Sequence, residues 1–354
     1  MDGGERMIAV VLAGGKGLRL WPESRRLRPK QLCSFVQGRS MLDHTIDRLV
    51  RAGANRVLVI TSDELFPAIE ELLSARPDSN MIQILGEPEG KNTAPAIGLA
   101  LSKLYGESSD EVIAIFPADH HILDADSFRA SVATALRAAE NNHLTTIGIA
   151  PSRPETGFGY IEKMKWEISE LTDVYPVQSF CEKPDQNTAE YYLTSGNHLW
   201  NAGIYIGKQS VFIEEFAHHL PAIHSHITEG YDAYRDAYRD LPSISIDYGI
   251  AEKSNRLAVV PADFGWCDLG SWNALAEILP ADENGNVTSG EEVIILESSD
   301  CIVKQEQKTI VLFDVHDLLV VETGNVILVS RRHRSQDLRQ LVHYVEEQQR
   351  LDLL

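Results

Sequence analysis

Basic residues are scarce in this chain relative to acidic ones. Its 354 residues carry 32 Lys and Arg against 52 Asp and Glu, a formal charge of −20. A general nucleic-acid binder needs a broad basic surface to displace counterions from phosphates, so that class is excluded. Cysteine is also sparse. Cys33, Cys181, Cys267 and Cys301 show no CxxC spacing and no nearby His partner. They fit reduced thiols of a cytoplasmic protein better than a disulfide frame or a zinc site, with a redox-sensitive thiol at Cys33 or Cys267 as the lesser alternative. Long apolar runs are missing. The longest near the N-terminus, Met7 to Ala13, falls far short of the ~18 residues of a membrane span, so no membrane association is expected. The opening residues include Asp2 and Glu5 instead of the cationic start of a signal peptide. What remains is 44% hydrophobic and 24% charged, the composition of a folded globular chain. At ~150 residues per domain, the length suits two domains or one large domain with an appendage.

The first half alternates short apolar runs with helical patterns. Met7–Ala13, Arg56–Thr61, Met81–Leu85, Glu111–Pro117 and Leu144–Ala150 read as strands covered on both faces. Helices are expected after the cap Ser40, over Thr93–Tyr105 and over Asp126–Asn141. This rhythm predicts an α/β fold with a Rossmann-like mixed, mostly parallel sheet, whose ligands bind beyond the carboxyl ends of the strands. Tyr160–Lys165 and Val174–Cys181 suit an antiparallel excursion. Asn187–Ser195, Ser210–His218, Pro221–Arg239 and Ser271–Leu279 read as helices, and Trp200–Gly207 and Arg256–Val260 as strands. From Asp282 onward, five short β-like runs separated by Asp, Ser, Gly and Asn predict a small β-helix-like module without a strict repeat. Ser335 is read as the cap of a closing helix with Leu338, Leu341, Val342 and Val345 on one face. The expected division is residues 1–281 and 282–354.

Chemistry should gather on the loops. After the first strand come Gly14, Gly15, Lys16, Gly17 and Arg19, where missing Cβ atoms allow backbone N–H groups to converge on an anion. The spacing is neither a Walker loop nor a dinucleotide fingerprint, and by itself a tight β-turn is an equal reading. Pro29-Lys30-Gln31 follows; Lys30 is a phosphate clamp or a surface lysine. Glu87, Lys91 and Asn92 lead into a predicted helix, where Asn92 suits a cap. Asp119 follows a strand, at the edge where ligands bind, and by itself suits a turn former. Gly159 has a bland reading as a hairpin, Glu182 with Lys183 as a solvated pair and Asp247 as a cap; Asn201 lies in the strand-like Trp200–Gly207 run. Asp268 opens a helix.

These motifs, taken in order, resemble those of the sugar-1-phosphate nucleotidyltransferases. Ala13-Gly14-Gly15 through Arg19-Leu20-Trp21-Pro22 with Pro29-Lys30-Gln31, and then Lys91-Asn92-Thr93-Ala94-Pro95-Ala96, Pro117-Ala118-Asp119-His120, Gly157-Phe158-Gly159-Tyr160, Glu182-Lys183-Pro184, Trp200-Asn201-Ala202-Gly203 and Gly265-Trp266-Cys267-Asp268, are similar to the mannose-1-phosphate guanylyltransferase branch. Leu18 departs from the family's usual Thr, and Lys16 from a small residue. The resemblance implies a GT-A-like catalytic domain acting on GTP and mannose 1-phosphate. It implies Mg²⁺ on Asp119 and Asp268, and Arg19, Lys30 and Lys183 as the catalytic cations. Nucleotide binding falls to Gly14, Gly15, Lys16, Gly17, Glu87, Lys91 and Asn92, with Glu87 accepting from guanine. Sugar binding falls to Gly159, Glu182, Asn201 and Asp247. The cations on these loops would form a cationic cleft in an acidic protein.

The tail resembles the short members of the branch, and no stretch resembling the cupin-type isomerase domain of longer relatives is expected. A sister transferase for another sugar or base, a catalytically inactive regulatory subunit and an acyltransferase built on the β module are the competing readings. Oligomeric state is open, a homodimer being admissible.

Overall fold

The computed structural model describes residues 6–15, 17–35, 38–107 and 110–354. In chain order the first strands are β1 (Met7–Leu12), β2 (Ala54–Ser62), β3 (Ile82–Glu87), β4 (Val112–Pro117), the two-residue β5 (His121–Ile122), β6 (Leu144–Ile149), β7 (Gly159–Lys163), β8 (Tyr175–Glu182), β9 (His198–Lys208), β10 (Leu257–Ala262) and the two-residue β11 (Trp266–Cys267). The helices among them are α1 (Met41–Arg51), α2 (Phe66–Ser74), α3 (Thr93–Leu104), α4 (Ala125–Glu140), α5 (Gln186–Ser195), α6 (Gln209–His219), α7 (Pro221–Ile227) and α8 (Tyr231–Ala237). Two compact units emerge. The first holds the stretch ending at Gly14, Thr45–Ala118 and Ile122–Trp266; the second holds Gly15–His44, Asp119–His121 and Cys267–Leu354.

The first unit is built on a nine-stranded mixed sheet in the order β3-β2-β1-β4-β9-β6-β10-β8-β7, with β7 pairing back to β9. Pairing is parallel through β3-β2-β1-β4 and between β6 and β10, and antiparallel elsewhere. The Val and Ile runs explain the parallel part, since both faces of β1, β2 and β4 are covered and their branched side chains pack into the core. Helix α3 lies almost wholly inside the core, with its N-terminus satisfied by Asn92, whose side-chain oxygen accepts from the Thr93 N–H at 2.9 Å.

Two expectations about this unit need amending. Pro221–Arg239 is not one helix: α7 and α8 are separated around Gly230, whose φ of 90° a helix cannot continue through. Helix α2, with Pro67 in its first turn, is a further helix beyond those expected, although Leu65, Ile69, Leu72 and Leu73 stand at helical spacing.

The second unit continues with α9 (Trp272–Ile278), β12 (Val287–Ser289), β13 (Val293–Leu296), β14 (Ile302–Lys304), β15 (Ile310–Phe313), β16 (Leu318–Thr323), β17 (Val326–Arg331) and α10 (Leu338–Glu347). Strands β12, β14 and β16 stack in parallel as one wall and β13 and β15 as the other, enclosing Cys301, Val303, Leu312 and Val320. This is the expected β-helix-like coil. One corner recurs three times in left-handed backbone, at Gly285, Asp300 and Asp317, residues that tolerate positive φ. Buried Asn286 bridges rungs, accepting from the Cys301 N–H and donating to the Ser298 carbonyl, both at 3.0 Å. Unequal rung lengths hide the repeat from the sequence, and β12 was missed for its brevity.

The other wall face of the coil joins α9, α10 and the Gly15–His44 segment in one core with Leu20, Trp21, Phe35 and Trp272. Trp272 Nε1 donates to the Trp21 carbonyl at 3.2 Å and Trp21 Nε1 to the Leu353 carbonyl at 2.9 Å. Lys304 on β14 pairs with buried Glu23 at 2.7 Å. Ser335 does not cap α10. It is buried within a 3₁₀ turn, Arg332–Asp337, and Asp337 precedes the helix.

The tightest test of the first core is Gly98 of α3. A Cβ there would stand 2.1 Å from the Tyr234 hydroxyl and 3.1 Å from Ile223 Cγ2. Gly98→Ala should cost about 1–3 kcal/mol by overpacking, read as a lower urea midpoint; an unchanged midpoint would refute the packing.

Candidate active site

In the second unit, Gly17, Arg19, Lys30, Asp119, His120, Asp268, Leu269, Gly270 and Arg339 line an open cavity of about 450 Å³. Lys30 is one of its lining residues. The side chain is buried, its ammonium 2.9 Å from Asp119 Oδ2 and donating also to the Asp268 carbonyl. A buried cation needs such partners, because burying an unpaired charge costs several kcal/mol. The loop reaches it through Gly17, at φ 58°, where a Cβ would lie 2.5 Å from Lys30 Cβ. No other residue fits there without displacing the lysine. Burial opposes the charge of Asp119, but Lys30 and His120 outweigh it and hold the carboxyl below its usual range. Asp268 Oδ1 accepts from the Gly270 N–H at 3.0 Å.

Thus Gly17, Arg19, Lys30, Asp119 and Asp268 come together. Lys16 lies outside the described residues, and Gly15 is exposed in this unit. Two hard carboxylates around one cavity fit Mg²⁺, which takes one or two carboxylates and completes its shell with phosphate oxygens and water. Among the described residues no group of three or more His, Cys, Asp or Glu gathers around a metal-sized space.

Cys33 and Cys267 are buried in the same unit. Burial pushes Cys33 up to about 12 and Cys267 up to about 11, so neither is the ionised thiolate that a redox-sensitive role requires.

In the first unit the other residues form two groups. Glu87 ends β3, buried, with Gly14 so close that a Cβ there would stand 3.4 Å from its Oε2. Burial pushes this carboxyl up to about 7, Tyr238 pulling it down and Asp63 raising it further. Asn92 is occupied as the cap of α3. Lys91 donates to the carbonyls of Arg239 and Leu241, the latter at 2.9 Å, and pairs with Glu89 at 3.1 Å. Within its unit, Lys91 is thus turned toward backbone oxygens and Glu89.

The second group unites Gly159, Glu182, Lys183, Asn201 and Asp247. A Cβ on Gly159 would meet Glu182 Oε2 at 2.6 Å and Asn201 Cβ at 3.3 Å. Asn201 Nδ2 donates to Asp247 Oδ1 at 2.9 Å, and the Tyr205 hydroxyl donates to the same oxygen at 2.6 Å. Lys183, at φ 52°, pairs with Glu182. Burial first, then Asp247, raises the Glu182 carboxyl, with Lys183 opposing.

Sequence reasoning missed three participants. Tyr205 and Thr146, which donates to Asn201 Oδ1 at 2.9 Å, look in the sequence like ordinary core positions of strands. Arg339 is one arginine on a helix, with no local motif to flag it.

Comparison with known proteins shows the family. The Nucleotidyl transferase family profile matches residues 8–285, and that of the MannoseP isomerase/GMP-like beta-helix domain matches residues 291–345. The alginate biosynthesis protein AlgA of Pseudomonas aeruginosa is 36% identical over 354 residues, covering 97% of this chain and 73% of its own length. A mannose-1-phosphate guanylyltransferase of Klebsiella pneumoniae is 36% identical over 355 residues, covering 97% of this chain and 75% of its own. A crystal structure of mannose-1-phosphate geranyltransferase from Thermus thermophilus superposes with a TM-score of 0.88 at 32% identity, over 96% of this chain and 99% of that one. With a mixed-sheet domain, a β-helix coil, the glycine loop, and relatives spanning nearly its whole length, this chain belongs to the nucleotidyl transferase family.

Proposed function

We propose that this nucleotidyltransferase is a mannose-1-phosphate guanylyltransferase, converting GTP and α-D-mannose 1-phosphate to GDP-mannose and diphosphate. The observation that carries the reading is the buried Lys30 between Asp119 and the Asp268 backbone beside Arg19, a site made for polyphosphate. The similarity to guanylyltransferases along nearly the full chain supports the choice of substrates.

The nucleophile is an oxygen of the sugar phosphate. A phosphate monoester has a second pKa of ~6, so near neutrality that oxygen is already ionised and no general base is assigned. A bond forms from it to the α-phosphorus of GTP, and the bond from the α-phosphorus to the bridging oxygen breaks, releasing diphosphate. The residues contribute positioning and charge neutralisation. Arg19 and the amides of Gly14, Gly15 and Gly17 steady the leaving diphosphate, with Lys16 adding charge. Lys30 and Lys183 hold the incoming sugar phosphate and the developing charge. Glu182, Asn201 and Asp247 accept from or donate to sugar hydroxyls, with Gly159 admitting the ring. Glu87 accepts from guanine N1–H and N2–H, donors that adenine and uracil do not both offer. Lys91 and Asn92 hold the segment after Glu87 in place for the nucleotide. Mg²⁺, held by Asp119 and Asp268, would supply charge neutralisation at the α-phosphate.

No helix among the described residues is long and apolar enough to cross a membrane. With all four cysteines as free thiols, a cytoplasmic enzyme is the reading we adopt.

A diphosphate-release panel crossing four nucleoside triphosphates with several sugar 1-phosphates should give fastest turnover with GTP and mannose 1-phosphate. Release with another pair would redirect the substrate assignment, and release with none would favour the regulatory reading. Asp268→Asn should lower kcat by at least about 100-fold with an unchanged melting temperature, the scale of losing a group that acts on transition-state charge. Because burial pushes the Glu87 carboxyl up to about 7, its carboxylate fraction should grow as pH rises from 6 to 8. GTP affinity should rise over that window, and Glu87→Gln should flatten the profile. The same slope in the variant would remove Glu87 from base recognition.

A further inference from the structure

The short helical turn carrying Arg19 (Leu18–Leu20) packs against α10 inside the second unit. Leu338 and Val342 anchor α10 in the core shared with Leu20 and Trp21, which leaves Arg339 exposed at the cavity rim. Arg19, half-buried, lines the same cavity. Among the described residues neither guanidinium forms an ion pair or a hydrogen bond, in a chain whose acids outnumber its bases 52 to 32. They are near enough to repel. Burial first, and the Arg19 charge second, pull Arg339 below the usual arginine range.

Two unneutralised arginines facing one polar cavity next to Lys30 form an arrangement that an anion relieves. Guanidinium forks bind phosphate oxygens bidentately, which a single ammonium cannot do. We propose that Arg339 of the C-terminal helix and Arg19 of the glycine loop clamp the β- and γ-phosphates of the nucleoside triphosphate, the pair that leaves as diphosphate. The β-helix module then completes the nucleotide site, since it delivers α10 to the loop. This inference rests on the proposed diphosphate-releasing reaction.

The test uses the full chain with Mg²⁺ and inorganic diphosphate as probe. In Arg339→Gln, the diphosphate Kd by calorimetry and the KM for GTP should both rise on the order of 10- to 100-fold, the loss of one bidentate charge-assisted contact. The KM for mannose 1-phosphate and the melting temperature should stay the same. Arg339→Lys should recover part of the loss, and it carries the test if the Gln variant fails to fold. Diphosphate binding unchanged in both variants overturns the clamp. The two readings separate cleanly. If wild type binds diphosphate in an Arg339-dependent way but turns over no substrate pair, the clamp stands and the proposed function fails. If wild type turns over GTP and the Arg339 variants match it, the clamp fails alone.

Discussion

The ammonium of Lys30 is the charge around which the second unit is organised. It is buried, so it must be neutralised by Asp119 and hydrogen-bonded by the Asp268 carbonyl. Lys30 and these two partners bring together three distant stretches of the sequence, the Gly15–His44 segment, the Asp119–His121 segment and the chain after Cys267. Each stretch has a further reason to be there. Gly17 exists to let the loop backbone pass the lysine, Trp21 and Trp272 lock the loop to α9, and Glu23 ties it to the coil through Lys304. Loss of the lysine would leave Asp119 half-buried without its main compensating charge.

The carboxylates in the first unit follow a different logic. Glu87 and Glu182 are both raised chiefly by burial, opposed by Tyr238 for the first and by Lys183 for the second. Such groups are poised acceptors. They respond to a donor-rich ligand with more free energy than a solvated carboxylate does, because the ligand replaces missing water.

Much of the fold was legible because its strands are long Ile and Val runs and its helices carry side-chain caps at Asn92, Asp185 and Ser271. The site residues were legible where chemistry demands a local pattern: glycines at a loop, and a carboxylate just past a strand. Legibility failed where function comes from assembly. Arg339 matters through Arg19, a residue at the other end of the chain, and nothing in its own neighbourhood marks it. Lys91 could face phosphate or hold a local turn by its sequence alone, and only the fold shows its ammonium on two backbone carbonyls. Ser335 looked like a cap, yet packing buried it.

The coil has one more consequence. Stacked strands form a spacer whose length changes in steps of about 4.8 Å, one rung at a time. Helix α10 follows β17, the strand paired to the last parallel rung β16, while the glycine loop is fastened to β14 through Lys304 and Glu23. Adding or removing a rung between them would shift Arg339 by about 5 Å, more than a hydrogen bond can tolerate. Rung number is therefore a dimension of the site, and a homologue could retain every motif residue and still lose the arginine's reach through an insertion in the coil.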